Sequence, residues 1–94
     1  MSPEISVAAY LLPYTDGKES ILIEGESVRE CLYNLIERYP AIEKMIFDEK
    51  KALLDYISVL VSSGDISYAD RLDTPVKEGD ILNILYIIGA FKRN

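Results

Sequence analysis

Histidine and tryptophan are absent from these 94 residues, and cysteine occurs once, as Cys31. Without histidine, one cysteine cannot form a usual zinc site or a Cys–His nucleophile pair within the chain. A single cysteine also excludes an intrachain disulfide, which favours a reducing, cytoplasmic location. Cys31 lies beside Leu32 near the apolar face of a predicted helix. We interpret it as a buried structural thiol rather than a reactive one.

Glycine is scarce as well. The five glycines are scattered along the chain, so the sequence contains no glycine-rich phosphate loop. The acidic residues do not follow the spacing of a calcium-binding loop. We therefore expect no metal, no cofactor and no catalytic residues, and we do not expect the chain to be an enzyme in its own right.

Positive charge and long apolar runs are also limited. Ten Lys and Arg residues stand against sixteen Asp and Glu residues, which gives a net charge of −6. No basic stripe is available to neutralise a phosphate backbone, so nucleic acid is not an expected partner. The longest apolar run, Val7 to Leu12, is far shorter than the roughly 20 residues that a membrane-spanning helix needs. Membrane insertion is not expected either.

Apolar residues make up 49% of the chain, enough for one modest core. The length predicts a single domain over residues 1–94, with a flexible C-terminal tail at 89–94. Strand-forming residues at Ile5–Leu12 and Ser20–Glu24 flank a turn-rich stretch and predict a hairpin.

A helix follows the hairpin. Ser27 and Glu30 have the spacing of a capping box, and Pro40 ends the helical pattern after Tyr39. Residues 41–47 predict a further short turn or helix.

The second half of the chain predicts strands. Alternation over residues 57–62 indicates a half-buried strand, residues 66–68 a short return strand, and residues 81–88 a central strand. Strongly apolar first and last strands suit adjacent central positions in a mixed sheet. One main helix on one face of that sheet gives a two-layer α+β fold.

The predicted sheet has one face without a helix. If the helix covers the face bearing Ile84, the opposite face carries Tyr10, Leu12, Leu60, Leu85 and Ile87. An apolar cluster on the uncovered face of a small acidic domain predicts a partner-docking surface. Two alternatives are that residues 41–54 fold over this face, or that the chain self-associates through it.

One stretch resembles a known family. The residues from Leu72 to Ile81, Leu-Asp-Thr-Pro-Val-Lys-Glu-Gly-Asp-Ile, are similar to the turn into the last strand of molybdopterin-synthase small subunits and thiamine sulfur carriers. The helix end at residues 37–40 and the strand and turn at 58–66 look like the molybdopterin branch. The resemblance extends from Ile5 to Ile88. It implies a ubiquitin-like β-grasp fold.

The resemblance also implies a function and partners. In such carriers a C-terminal Gly-Gly enters an E1-like adenylating enzyme, where ATP activates the terminal carboxylate for conversion to a thiocarboxylate. The tail then enters the large subunit of the synthase, which transfers the sulfur to a pterin precursor. A tail without side chains can pass through a narrow channel. The implied role is sulfur transfer in molybdenum or tungsten cofactor biosynthesis.

The end of this chain departs from the family pattern. The tail expected to react is Gly89-Ala90 rather than Gly-Gly, and Phe91, Lys92, Arg93 and Asn94 follow it. A carrier role would therefore require C-terminal trimming. The alternative is a non-catalytic β-grasp interaction module, or accessory subunit, that has lost the Gly-Gly chemistry.

Overall fold

A five-stranded mixed sheet and one principal helix form the fold. The computed structural model describes residues 2–63, 66–69 and 72–86, with the backbone alone for residues 66–69 and 86. The strands are β1 Glu4–Ser6, β2 Ser20–Leu22, β3 Ile57–Ser63, β4 Ile66–Ala69 and β5 Ile81–Tyr86. The helices are α1 Val28–Arg38 and α2 Glu43–Ile46, with 3-10 helices at Ala9–Tyr14 and Pro40–Ile42. None of the helices in the described residues has the length and hydropathy to cross a bilayer.

The predicted central pairing of the first and last strands is confirmed. The strand order is β2-β1-β5-β3-β4, and β1 runs parallel to β5 while the other neighbours are antiparallel. Leu82 and Ile84 of β5 are buried against the helix side, as are Ile5 of β1 and Val59 of β3. These residues alternate with more exposed ones, because successive side chains of a strand point to opposite faces. The predicted α+β architecture with one covered sheet face is therefore confirmed.

The predicted helix begins and ends within a residue of its expected bounds. The Ser27 hydroxyl accepts a hydrogen bond from the Glu30 amide (3.2 Å), and the Glu30 carboxylate accepts one from the Glu26 amide (2.9 Å). These bonds satisfy amide groups that the first helical turn leaves without partners. Gly25 passes so close to this turn that an added Cβ would lie 2.9 Å from the Cys31 amide nitrogen. Only glycine fits there without displacing the start of α1.

The predicted first strand, Ile5–Leu12, is wrong from Val7 onward. The strand ends at Ser6, and residues 9–14 form a 3-10 helix in which Leu11 is fully buried. The Leu11 amide donates to the Ala8 carbonyl (2.9 Å), a local bond that replaces a ladder bond. A continuous apolar run has no alternation to distinguish a strand from a helical turn.

Residues 40–54 pack on the helix side of the sheet. Ile42, Ile46 and Phe47 are buried in the same core as Leu32 and Leu35 of α1. The alternative in which residues 41–54 bury the other sheet face is therefore wrong. That face keeps its exposed residues.

The stretch from Leu72 to Asp80 is fixed to the start of α1 by backbone bonds. The Val28 amide donates to the Thr74 carbonyl (3.0 Å) and the Arg29 amide to the Leu72 carbonyl (2.8 Å). Val76 is buried in the core. This stretch therefore sets where β5 enters the sheet.

Candidate docking surface on the open sheet face

The sheet face opposite α1, which we call the open face, spans β2, β1, β5 and β3. Its described side chains are those that alternate with buried ones along each strand. They are Ser20, Leu22, Glu4, Ser6, Ile81, Asn83, Leu85, Ser58, Leu60 and Ser62. Glu4 is the only charged residue among them, whereas 28% of the whole chain is charged. Depletion of charged side chains is a property of the buried centres of protein interfaces.

The apolar residues of the open face occur in two groups. Leu60 pairs with Asn83 and Leu85 with Ser58, so Leu60 and Leu85 are diagonal neighbours on β3 and β5. Leu85 is 41% exposed and Leu60 is half-buried. The second group lies on the same face, nearer to the β2 edge. Leu22 and Ile81 both pair with Glu4, one on each side of it.

The polar side chains between these groups are already hydrogen-bonded within the protein. Asn83 Nδ2 donates to the Leu60 carbonyl (3.0 Å) and to Ser62 Oγ (3.4 Å). Ser20 Oγ donates to Glu4 Oε2. Burying a satisfied polar group costs less free energy than burying one that loses its water partners. A partner can therefore cover Asn83 and Ser20 while their donor groups keep a hydrogen bond.

The structure brings together only some of the residues predicted for docking. Leu60 and Leu85 lie on the open face as expected. Tyr10 and Leu12 do not lie on the sheet, because they belong to the 3-10 helix and pack, partly buried, against the core. Ile87, Gly89 and Ala90 lie outside the described residues. The docking role of Tyr10, Leu12, Leu60, Leu85 and Ile87 stays a prediction, as does the role of Gly89 and Ala90 as the reacting tail.

Sequence reasoning did not include Leu22 and Ile81 in this surface. Leu22 is 64% exposed, more than Leu85. Its signal is the alternation of residues 21–23, which places Leu22 on the face opposite two buried isoleucines. Ile81 has the same relation to Leu82, but β5 has apolar residues on both faces, so its alternation is weak.

Asp80, at the entrance to β5, is the one buried carboxylate of the described residues. Burial raises its pKa, but hydrogen bonds from the Lys77 amide and the Ser63 hydroxyl, together with the Lys77 ammonium group, outweigh this and lower the pKa below its usual range. Asp80 Oδ2 accepts from the Lys77 amide (3.0 Å), and Lys77 Nζ lies 3.3 Å from Asp80 Oδ1. Lys77 Nζ also donates to Ser63 Oγ (2.7 Å) at the end of β3. We assign this network to the positioning of β5.

Cys31 is fully buried and is a free thiol. Burial, with a smaller contribution from Glu30, raises its pKa to about 11. The thiolate is therefore scarce near neutral pH, in agreement with a structural role. Across residues 2–63, 66–69 and 72–86, no group of three or more candidate metal-ligating side chains occurs.

Comparison with known proteins extends along most of the chain. No family model matches the sequence. The sulfur carrier protein CysO of Mycobacterium tuberculosis is 24% identical over 87 residues, which cover 90% of this chain and 94% of that protein. A chain of the Amycolatopsis orientalis BexX/CysO complex superposes with a TM-score of 0.77 at 28% identity, covering 90% of this chain and 94% of that one. SAMP1 from Haloferax volcanii superposes with a TM-score of 0.80 at 24% identity, covering 94% of this chain and 97% of that one.

The sheet order, the single covering helix and these superpositions define the chain as a ubiquitin-like β-grasp protein. Within that class, the similarities are to the sulfur carrier CysO and to the small archaeal modifier protein SAMP1. They do not distinguish the molybdopterin branch. These relatives are small carrier and modifier proteins rather than enzymes, which confirms the prediction that the chain is not an enzyme in its own right.

Proposed function

We propose that this chain is a ubiquitin-like sulfur carrier that docks onto its partners through the open face. The observation that carries the proposal is the similarity, over nine-tenths of the chain, to proteins named as sulfur carriers. The charge-depleted open face with its exposed Leu85 supports docking. A related fold is also found in a complex, that of BexX with CysO.

The proposed chemistry requires a free carboxylate at the end of a slender tail. The carboxylate attacks the α-phosphate of ATP, pyrophosphate leaves, and an acyl-adenylate forms. Hydrosulfide then attacks the acyl carbon, the bond to AMP breaks, and a thiocarboxylate remains. In this sequence Gly89-Ala90 is the segment of suitable size, and we propose that the four residues after Ala90 are removed first.

The proposed partners are an E1-like adenylating enzyme and the large subunit of a synthase, in the cytoplasm. For the pathway, the resemblance of residues 37–40 and 58–66 supports the molybdopterin branch. Co-expression with a molybdopterin-synthase large subunit tests this assignment directly. A stable 1:1 or 2:2 complex on size exclusion supports the pathway, and its absence beside a complex with the adenylating enzyme would reject the pathway while keeping the carrier.

The carrier function is tested by ATP–pyrophosphate exchange with the adenylating enzyme encoded in the same genome. The full-length chain should be inactive, because Phe91 and two cations precede its carboxylate. A chain ending at Ala90 should gain exchange, and the same chain with Ala90→Gly should be faster because it lacks the methyl group. A full-length chain that exchanges as well as either shortened chain would disprove the need for trimming.

The second candidate function is an interaction module without sulfur chemistry. Gly89-Ala90 at the position of the family's Gly-Gly favours it, because the sequence contains no pair of adjacent glycines. It predicts that neither shortened chain supports exchange while the open face still binds a partner. Intact mass of the protein from its own cell separates the two functions, since only the carrier needs a shortened or sulfur-bearing C-terminus.

A further inference from the structure

The outer edge of β2 is a free sheet edge in the described part of the molecule. β2 is the terminal strand of the sheet and pairs only with β1. The odd-numbered residues that flank β2 bond to the β1 side. The Glu19 carbonyl accepts from the Val7 amide, and the Ile23 amide donates to the Pro3 carbonyl. In an antiparallel ladder, the amide and carbonyl of one residue point to the same neighbouring strand, and those of the next residue point to the opposite side. The amide and carbonyl of Ser20 and Leu22 therefore point away from the sheet.

Two side chains of α1 partly occupy this edge. Asn34 Nδ2 donates to the Glu24 carbonyl at 2.8 Å, a bond of normal length. Arg38 Nη1 reaches the Leu22 carbonyl at 3.4 Å, which is a long contact for an N–H···O bond. The Leu22 carbonyl is therefore covered by a flexible, exposed side chain that another donor can displace.

A groove lies between this edge and the second half of α1. Its volume is about 560 Å³, and Glu24, Glu37 and Arg38 are its charged lining residues. The lining thus carries two negative charges and one positive charge, within a chain of net charge −6. Leu22 also contributes to the lining of the groove, but its side chain, 64% exposed, belongs to the open-face side of the edge. The edge offers acidic groups on one side and an apolar side chain on the other.

We propose that the outer edge of β2 binds an extended, basic peptide segment of a partner protein as an added strand. Side chains of an added strand alternate between the two sides of the sheet. Basic side chains enter the groove beside Glu24 and Glu37, and apolar side chains pack on Leu22. The incoming backbone displaces Arg38 and bonds to the outward groups of Leu22. This site shares Leu22 with the open face, but it uses the backbone edge of β2 and does not depend on the sulfur-carrier function.

A synthetic peptide, acetyl-Lys-Val-Lys-Val-Lys-Val-amide, tests the proposal with the full-length protein. Amide chemical shifts in a ¹⁵N NMR titration should move at residues 20–24 and 34–38. The matching peptide with Glu in place of Lys should bind at least about tenfold more weakly, because the groove is acidic. Shifts spread over acidic residues elsewhere on the surface, or equal binding of the two peptides, would overturn the proposal.

N-methylation separates strand addition from simple charge attraction. In an added strand all Lys amides face one way and all Val amides the other. Methyl groups on one set must therefore abolish binding, while methyl groups on the other set leave most of it. Two N-methylated peptides of equal charge that bind alike would show that no strand forms.

Variants of the protein test whether the charged residues of the groove contribute to peptide binding. Replacing Glu24 and Glu37 together by Gln should weaken the peptide by about threefold or more, and Arg38→Ala should strengthen it. The matched control, Glu49→Gln with Asp55→Asn, removes two exposed charges outside the groove lining. An equal loss in this control would overturn the assignment of the groove.

Discussion

The turn at residues 72–80 and the open face of the sheet differ in two respects. They differ in how many bonds fix each to the rest of the protein, and in how closely the sequence of each resembles a known family. The turn is the stretch that most resembles a known family. Several of its backbone and side-chain groups are hydrogen-bonded or buried within the protein. Thr74 and Leu72 accept bonds from α1, Val76 is buried, and the Asp80 carboxylate accepts from the Lys77 amide. The open face has no comparable motif, and Leu85 and Leu22 project into solvent.

This contrast shows why the most specific motif did not identify the pathway. Residues that orient β5 are needed by any β-grasp protein that uses this turn, whatever its partner. The residues that we propose for partner choice lie on the open face, where many combinations of Leu, Ile and Ser satisfy the same alternation. A motif of the turn therefore indicates the fold, and partner choice must be read from the open face.

The largest expected effect tests how firmly the turn is held. It is a loss of folding stability in Asp80→Ala. Removing this carboxylate leaves the Lys77 amide without its acceptor, and hydrogen bonds to charged groups contribute about 1.5–3 kcal/mol. We expect the free energy of unfolding in urea to fall by about 2 kcal/mol. The control is Glu78→Ala, an exposed neighbour in the same turn. Equal losses in the two variants would show that the turn is not held by the Asp80 network.

The open face should respond in the opposite way, with a change in binding and not in folding. Leu85→Asp places a charge on a surface that a partner buries, and we expect about 2 kcal/mol or more of lost affinity for the co-expressed adenylating enzyme. The urea midpoint should change little, because Leu85 is 41% exposed. Calorimetry and urea unfolding give the two values. Unchanged affinity, or a variant that does not fold, would remove Leu85 from the docking surface.

The elements that the sequence predicts correctly are those specified by local signals or by apolar character. The bounds of α1 followed from the Ser27 cap and Pro40, because both signals act through local backbone chemistry. The adjacent positions of β1 and β5 followed from their apolar character. The 3-10 helix at residues 9–14 did not follow, since burial of Leu11 depends on contacts with distant residues rather than on its neighbours in sequence. The open face was predicted in part, through Leu60 and Leu85.

A smaller effect comes from the ionisation of Asp80. Its pKa is lowered in the folded protein, so its contribution to stability is present above the unfolded pKa, roughly 4, and is lost as the pH falls through the folded pKa. The difference in unfolding free energy between the wild type and Asp80→Asn should therefore shrink as the pH is lowered from about 6 to about 2. Urea unfolding at a series of pH values measures it. A difference that is constant over this range would mean that the carboxylate contributes through shape rather than charge.

The smallest effect should come from the ion pair between Arg29 and Asp73, which joins α1 to the turn by side chains alone. Arg29 Nη2 and Nε lie 2.9 and 3.2 Å from Asp73 Oδ1. The Asp73 side chain is 86% exposed, so water and salt screen the pair. The adjoining backbone bonds, from the amides of residues 28 and 29, do not require the arginine side chain.

We therefore expect Arg29→Ala to lower the urea midpoint less than Asp80→Ala, and the difference from wild type to disappear at about 1 M NaCl. Hydrogen exchange should show the amides of residues 28 and 29 as protected in the variant as in the wild type. Asp73→Ala removes the other partner and should behave in the same way. If exchange at both amides becomes fast in either variant, the side chains hold the turn to α1, and the backbone bonds depend on them rather than the reverse.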